Sequence, residues 1–389
     1  MNILISRSLC VPGRMRAEDI LRIYYIAARG HSGSMNARTQ FLLAFAVMFA
    51  VLAIVAAGCT GTAPSSGQGS TGTAANVSSG NTGIHTIFVE PNDGRALILK
   101  TINGAQKTIT LTIYQLDDPE IVAALAAAQG RGVSVRIIYN NASFAAENVT
   151  NPNNYAIANL TPLGVQMMPG SPAFVLTHQK TLTADGSVSI IMTLNLDPAF
   201  FGTTRDFGII TNDPAEVQEI GKVFEADWNY QNVTPTQPSL VWSPVNAREK
   251  ILGLINGSTK TLDVYNDAIT DPQVIAALSD AARRGVAVRV LAAYNVGSNG
   301  TNVNAPALAT LTASGAQAKS IASPYIHAKV AVADYGTPRQ VAYVGSAYFA
   351  AESLDQSRNL GILVTEQPIL DRIELEFNQD WQVPAVPEP

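Results

Sequence analysis

The two halves of this chain repeat one another, with most landmarks at one offset and the central histidines at 149 (327 − 178) through loop-length changes, and that duplication constrains the fold more than any local pattern. Ile102-Asn103-Gly104 returns as Ile255-Asn256-Gly257, Asp118-Pro119 as Asp271-Pro272, and Arg131-Gly132-Val133 as Arg284-Gly285-Val286. Arg205 and Gly208 return as Arg358 and Gly361, and Asp227-Trp228 as Asp380-Trp381, each shifted by 153 residues (255 − 102). A period of domain size rules out a solenoid, whose units run to about 20–50 residues, and predicts two similar lobes related by a pseudo-two-fold axis.

Within each half the hydrophobic period changes in the same order. Thr108 to Tyr114 is β-branched and alternating. Asp118-Pro119-Glu120 then supplies a cap, a first-turn proline and an acidic residue ahead of a helical run, Ile121 to Gln129. Gly130 and Gly132 end that helix, and Val133 to Tyr139 alternates again as a strand. Strand, helix, strand with short connections makes a parallel unit, and the second half repeats it from Thr261 to Leu291. Each half closes with an amphipathic helix, after Pro214 and Pro368, that ends in Asp-Trp. The fold class is α/β, with one sandwich lobe over residues 84–236 and another over 237–389. Asp118 and Asp271 read as helix caps, Trp228 and Trp381 as packing residues, and His85 as a surface residue. Tyr114, Tyr139, Tyr265 and Tyr294 lie near strand ends, where they either border a cleft or fill the core.

Ahead of the lobes, residues 1–34 read as an over-extended start and 35–59 as an export segment: Arg38, an unbroken apolar run from Phe41 to Ala57, then Ala56-Ala57-Gly58-Cys59. Small residues before a cysteine resemble a lipoprotein signal, which makes Cys59 the expected lipidation site. An uncleaved membrane anchor is the alternative. Both place the lobes on the extracytoplasmic face of the membrane, beyond a flexible, uncharged linker over 60–83. With Cys10 and Cys59 the only cysteines, no disulfide is expected within the lobes.

The chemistry is concentrated in one doubled pattern. His178-Gln179-Lys180 is followed by Asp185, and His327-Ala328-Lys329 by Asp334, at identical spacing, in a chain with only four histidines. On an extended strand residues i and i+2 share a face, so each histidine projects with its lysine into one space. The aspartates are an odd number of residues away and read as turn-holding, although they belong to the repeated candidate set. Paired lysines hold an anion and paired histidines handle protons or attack, which together imply phosphate chemistry.

Two copies of His-x-Lys-x4-Asp in a duplicated α/β chain resemble the phospholipase D superfamily, over about residue 84 to the C-terminus. The resemblance implies that both motifs meet at the lobe interface and cleave phosphodiesters without a metal or cofactor. One histidine forms a covalent phosphohistidine, the other protonates the departing alkoxide, and Lys180 and Lys329 hold the phosphate oxygens. The family also carries a Gly-Ser-x-Asn turn after each motif. Here the first copy is Met192-Thr193-Leu194-Asn195 and the second Gly345-Ser346-Ala347-Tyr348, so Thr193, Asn195 and Ser346 are the expected supporting phosphate contacts. Asp206 is expected to orient His178 and thereby make it the nucleophile, with His327 as general acid and Asp355 as the competing partner for His327.

A net charge of −5 with no basic run argues against nucleic acid as substrate. The expected activity is hydrolysis of phospholipid headgroups. An extracellular nuclease, a phosphatidyl transferase and a decayed surface-binding protein are the alternatives, and no partner protein is implied.

Overall fold

The computed structural model describes residues 85–141, 151–297 and 300–387. The first lobe runs β1 (His85–Glu90), α1 (Ala96–Gly104), β2 (Thr108–Ile113), α2 (Pro119–Gly130), β3 (Ser134–Tyr139), α3 (Asn154–Leu160), β4 (Gln166–Pro169), β5 (Thr181–Ala184), β6 (Val188–Met192), β7 (Thr204–Thr211) and α4 (Pro214–Trp228). The second repeats it as β8 (Leu240–Ser243), α5 (Ala247–Gly257), β9 (Thr261–Asn266), α6 (Pro272–Arg283), β10 (Ala287–Ala293), α7 (Ala305–Ala313), β11 (Gln317–Ile321), β12 (Tyr325–Ile326), β13 (Lys329–Ala333), β14 (Val341–Gly345), α8 (Ala351–Asp355), β15 (Asn359–Val364) and α9 (Gln367–Trp381).

The sheet orders are β1-β7-β6-β5-β2-β3-β4 and, read in the equivalent direction, β8-β15-β14-β13-β9-β10-β11. They are the same topology, strand for strand. The expected parallel units are present: β2 pairs with β3 and β9 with β10, both parallel. Their crossover helices start where the sequence supplies caps. Asp118 accepts from Glu120 N and Ile121 N, and Asp271 from Gln273 N and Val274 N.

Each lobe has its own core under its outer helices. A third core lies between the sheets, where Phe207, Trp242, Val330 and Leu360 meet Ile220 and Val223 of α4 and Ile373 and Phe377 of α9. Tyr265 is fully buried in this central layer, which resolves its reading in favour of the core. The repeated Gly208 and Gly361 are sites of close approach: a Cβ there would lie 2.1 Å from the Phe88 ring and 2.3 Å from the Tyr343 ring.

Two arginines at equivalent positions tie the lobes across the seam. Arg205 reaches Asp380 with Nε at 2.7 Å and Nη2 at 3.0 Å, donates from Nη1 to Glu90 O at 2.8 Å, and pairs with Glu376 at 3.0 Å. Arg358 reaches back to Asp227 with Nη2 at 2.6 Å. The main chain crosses too: β12 runs parallel to β7 at Arg205, and Thr177 bridges Arg358.

His85 departs from its expected surface role. Its ring lies between two carboxylates, with Nε2 2.9 Å from Glu216 and Nδ1 bonded to Glu366, so it staples β1 to the starts of α4 and α9. Burial alone would lower its pKa, but both glutamates outweigh that and raise it above 6.5. A raised folded value means the staple contributes fully below the unfolded pKa and is lost as pH rises through the folded one. Stability measured by urea unfolding is therefore expected to fall across that interval in the wild type and to lose that component in His85→Gln. In the same assay Asp227→Asn, which leaves Arg358 buried without its anion, is expected to cost about 3–5 kcal/mol. Asp380→Asn should cost less, because Arg205 keeps Glu376.

Candidate active site

His178 and Lys180 lie on the segment entering β5; His327 lies between β12 and β13, and Lys329 opens β13. All four side chains are buried, at 3, 1, 4 and 0 % exposure. The seam pairing places both segments: His178 N donates to Arg358 O and Ala328 N donates to Arg205 O, each at 2.9 Å, so each motif is held by the other lobe. As the i, i+2 spacing requires, each lysine turns with its histidine. Lys180 Nζ donates to His178 O at 2.7 Å, and Lys329 Nζ donates to His327 O.

The two pairs meet around Tyr348. Its ring lies 4.8 Å from the His178 ring and carries the Lys329 ammonium 4.6 Å above its centre. Tyr114 is a second ring against His178, edge-on at 4.9 Å, with Lys180 Nζ 4.9 Å from its ring. His178 therefore touches two tyrosines, and Phe200 lies edge-on to His327 at 4.6 Å.

The orienting groups are exchanged between lobes. Asp206 Oδ1 is 2.8 Å from His327 Nδ1, and its carboxylate also accepts from Thr193 Oγ1 and, at 2.6 Å, from Thr204 Oγ1. This corrects the expectation that Asp206 orients His178. The pseudo-two-fold axis brings the β7 residue of one lobe to the histidine of the other, which the chain order does not show. His178 Nδ1 instead lies 3.1 Å from both Asn359 Oδ1 and Ser346 O. The Asn359 amide is itself fixed, its Nδ2 donating to Ser353 O at 2.9 Å. Both neighbours of Nδ1 are acceptors, so Nδ1 carries the proton and Nε2 keeps its lone pair. Asp355, the alternative partner for His327, is bound by Arg248 at 2.8 and 2.6 Å on the outside of the lobe.

These partners divide the two imidazoles. Burial, then the Lys180 and Lys329 charges, push His178 well below the usual histidine range, so it is neutral. Burial also lowers His327, but the Asp206 carboxylate opposes the shift and stabilises its imidazolium form. Burial raises Asp206, and His327, Lys329 and Thr193 more than reverse that, keeping it ionised. Burial and the neighbouring Lys329 hold Lys180 well below its ordinary value; Lys329, nearer the balancing charges of Asp267 and Asp206, comes down to about 8.

Two further sets of candidate residues stand outside the reaction, the first of them in the turn-holding role that its odd spacing suggests. Asp185 and Asp334 take no part in the cleft. Each sits at the far end of its motif strand with positive φ, accepting from backbone N–H groups of residues 106–108 and 259–261 respectively. Their role is to hold the turn that starts the neighbouring strand. Thr193 and Ser346 spend their hydroxyls on Asp206 and on Asn359 Oδ1 (2.9 Å), so they position the orienting groups in place of phosphate. Asn195 is buried with Oδ1 unpartnered and remains placed for a substrate contact. Cys59 and the export segment lie outside the described residues. Asn359, Tyr114, Tyr348 and Asp267 are the cleft residues that the motif did not name; the offset of 153 pairs Asn359 with Asp206 and Asp267 with Tyr114, which was the available signal.

A family profile described as "Cardiolipin synthase, PLD-like domain" matches residues 98–228 and again 251–381. Cardiolipin synthase A of Pseudomonas entomophila is 29 % identical over 150 residues, 36 % of this chain and 29 % of its own length. Mitochondrial cardiolipin hydrolase of Xenopus laevis is 28 % identical over 131 residues, 34 % of this chain and 59 % of its own. The match thus spans less than two thirds of either relative. In fold, the phosphatidylserine synthase of Haemophilus influenzae superposes with a TM-score of 0.61 at 11 % identity, over 77 % of this chain and 86 % of its own. Polyphosphate kinase of Porphyromonas gingivalis gives the same score at 16 % identity, over 77 % of this chain and 47 % of its own.

With four histidines in the chain, the imidazole signals can be assigned and titrated by NMR. Asp206→Asn is expected to lower the His327 pKa further and leave His178 nearly unmoved, whereas Asn359→Asp is expected to raise His178 alone. A response of His178 to Asp206→Asn would reverse the pairing.

Proposed function

Because the chain belongs to the phospholipase D-like family, we propose that it cleaves phospholipid phosphodiesters in two steps, with His178 as nucleophile and His327 as general acid. The observation that carries this reading is the unlike partnering of two buried histidines in one cleft: burial and the lysine charges keep His178 neutral with only an amide and a carbonyl at its Nδ1, whereas His327 faces a carboxylate that favours its protonated form. The role assignment is the one the motif suggests, for the opposite reason. Asp206 favours the protonated form of His327, the form that has a proton to give; it does not make His178 the better base.

In the first step the Nε2 lone pair of His178 attacks phosphorus. The bond from phosphorus to the headgroup oxygen breaks, and that oxygen takes the proton from His327. In the second step water gives its proton to His327 and attacks phosphorus, the phosphorus–nitrogen bond breaks, and phosphatidate leaves. Lys180 and Lys329 stabilise the charge that gathers on the non-bridging oxygens in a site from which water is largely excluded. Asn195, buried with an unpartnered Oδ1 on the turn after β6, supplies a further polar contact in this reading.

Hydrolysis of a phospholipid headgroup fits the negative net charge and the export segment, which together favour a membrane-tethered enzyme on the extracytoplasmic face over a nuclease. A second reading, phosphatidyl transfer, is favoured by the family profile and by the synthase relatives. It differs only in the acceptor, an alcohol in place of water.

Full-length protein in mixed micelles of phosphatidylcholine and phosphatidylglycerol, with EDTA present, is expected to release headgroup and to form an acid-labile phosphoenzyme. His178→Ala should abolish both. His327→Ala should lower turnover by about 10²–10⁴-fold while the phosphoenzyme accumulates. Trapping in His178→Ala and not in His327→Ala would exchange the roles, and wild type indistinguishable from His178→Ala would sink the reading. Added glycerol that diverts product from phosphatidate to phosphatidylglycerol would establish transfer.

A further inference from the structure

The two seam arginines occupy equivalent positions, but their surroundings differ by one carboxylate. Around Arg205 the fork is complete: Asp380 takes two N–H groups, Glu90 O a third, and Glu376 stands 3.0 Å from Nη2. Arg358 is as deeply buried, at 4 % exposure, yet has only Asp227. Its Nε and Nη1 have no hydrogen-bond acceptor. The difference has a sequence cause: α4 and α9 correspond at an offset of 153, and the helix position that is Glu376 beside Arg205 is Val223 beside Arg358. Buried guanidinium N–H groups left unpaired are destabilising, so the arrangement favours an external acceptor.

There is room for one. Arg358 and Asp227 line a cavity of about 180 Å³ whose other walls include Phe174, Val233, Pro244 and Val245. Phe174 lies 4.2 Å from the guanidinium carbon, and Trp242 lies 5.8 Å away, so the cation is flanked by ring faces and its edge is what remains for a ligand. A second cavity of about 360 Å³ adjoins through Ser171, Phe174 and Tyr230 and continues past Pro172 and Val175. Tyr230, Val175 and Val245 are half-exposed at this rim, at 51, 48 and 48 %.

We propose that Arg358 is the anchor of a second binding site, which takes an organic carboxylate with an apolar tail. The fold supplies the precedent for the head, because the guanidinium at the same position in the other lobe is completed by carboxylates. The proline, phenylalanine and valine walls supply the reason for the tail. The site is separate from the histidine cleft: where the chain enters β15 successive side chains alternate, so Asn359 faces His178 while Arg358, the residue before the strand, turns the other way to Asp227. It is also independent of the proposed reaction, and its test does not use turnover.

Full-length protein is titrated with sodium hexanoate, acetate and inorganic phosphate at constant ionic strength, with thermal unfolding and calorimetry as readouts. Hexanoate is expected to bind saturably and raise Tm, more tightly than acetate. Two variants place the site. Val223→Glu supplies the missing carboxylate from within and should abolish the hexanoate response. Val245→Glu, at a half-exposed rim position that the fold tolerates, should weaken binding at least tenfold through like-charge repulsion. No saturable response to hexanoate overturns the proposal, as does a response equal in wild type and Val245→Glu, or one in which phosphate binds as well as hexanoate.

Discussion

The arrangement that everything else depends on is the exchange of groups across the pseudo-two-fold seam. Neither lobe can assemble its histidine alone. His327 needs Asp206 from the first lobe, and His178 needs Asn359 and Ser346 O from the second. A buried imidazole N–H without its acceptor would cost about 1–3 kcal/mol, and the lobes avoid that only when docked in this register. The same register delivers the Arg205–Asp380 and Arg358–Asp227 pairs, so the bonds that dock the lobes and the bonds that orient the histidines come from adjacent residues. Alternation along β7 and at the entry to β15 makes this possible: the arginine faces one side and its neighbour, Asp206 or Asn359, faces the other.

Duplication supplies the scaffold, and single substitutions at equivalent points supply the chemistry. Asp206 against Asn359 separates the proton affinities of the two histidines. Asp267 takes the position of Tyr114 in the second lobe and is the largest charge opposing the burial of Lys329, whereas Lys180 is lowered by burial and by the Lys329 charge. Tyr348 against Asn195 puts a ring beside His178 where the first lobe has an amide. A strictly symmetric site would hold two histidines of equal affinity, and a proton would have no preferred home.

Much of this was legible in the sequence. The recurring offset of 153 pointed to two lobes of one topology, because length changes were confined to loops and the crossover helix of each half kept its Asp-Pro start. The His-x-Lys spacing gave the four buried residues of the cleft, because a period of two on extended chain fixes which side chains share a face. What could not be read was which lobe serves which histidine. Asp206 lies 28 residues after His178 and 121 before His327, and chain proximity favoured the wrong partner. The hydroxyls of Thr193 and Ser346 were misjudged for a related reason: residue type shows that an oxygen can bind phosphate, but only the packing shows that a neighbouring carboxylate or amide has already claimed it. Asp185 and Asp334 belong to the motif for the sake of the strand's far end, where positive φ and clustered N–H groups require a carboxylate.

Burying two ammonium groups and two imidazoles together has a further consequence for the proposed reaction. In the empty cleft the lysine charges oppose a proton on either ring, and burial adds to that opposition, so His327 holds its proton weakly despite Asp206. A phosphodiester brings one negative charge to the space between the lysines. It cancels much of their repulsion, and in a site of low polarity that change is felt strongly. The proton affinity of His327 therefore rises as substrate arrives, while His178, held through Nδ1 by neutral acceptors and set against phosphorus, keeps its Nε2 lone pair. Desolvation that looks unfavourable in the free protein thus couples protonation of the acid to occupancy of the site, and Asp206 decides which of the two histidines captures the proton.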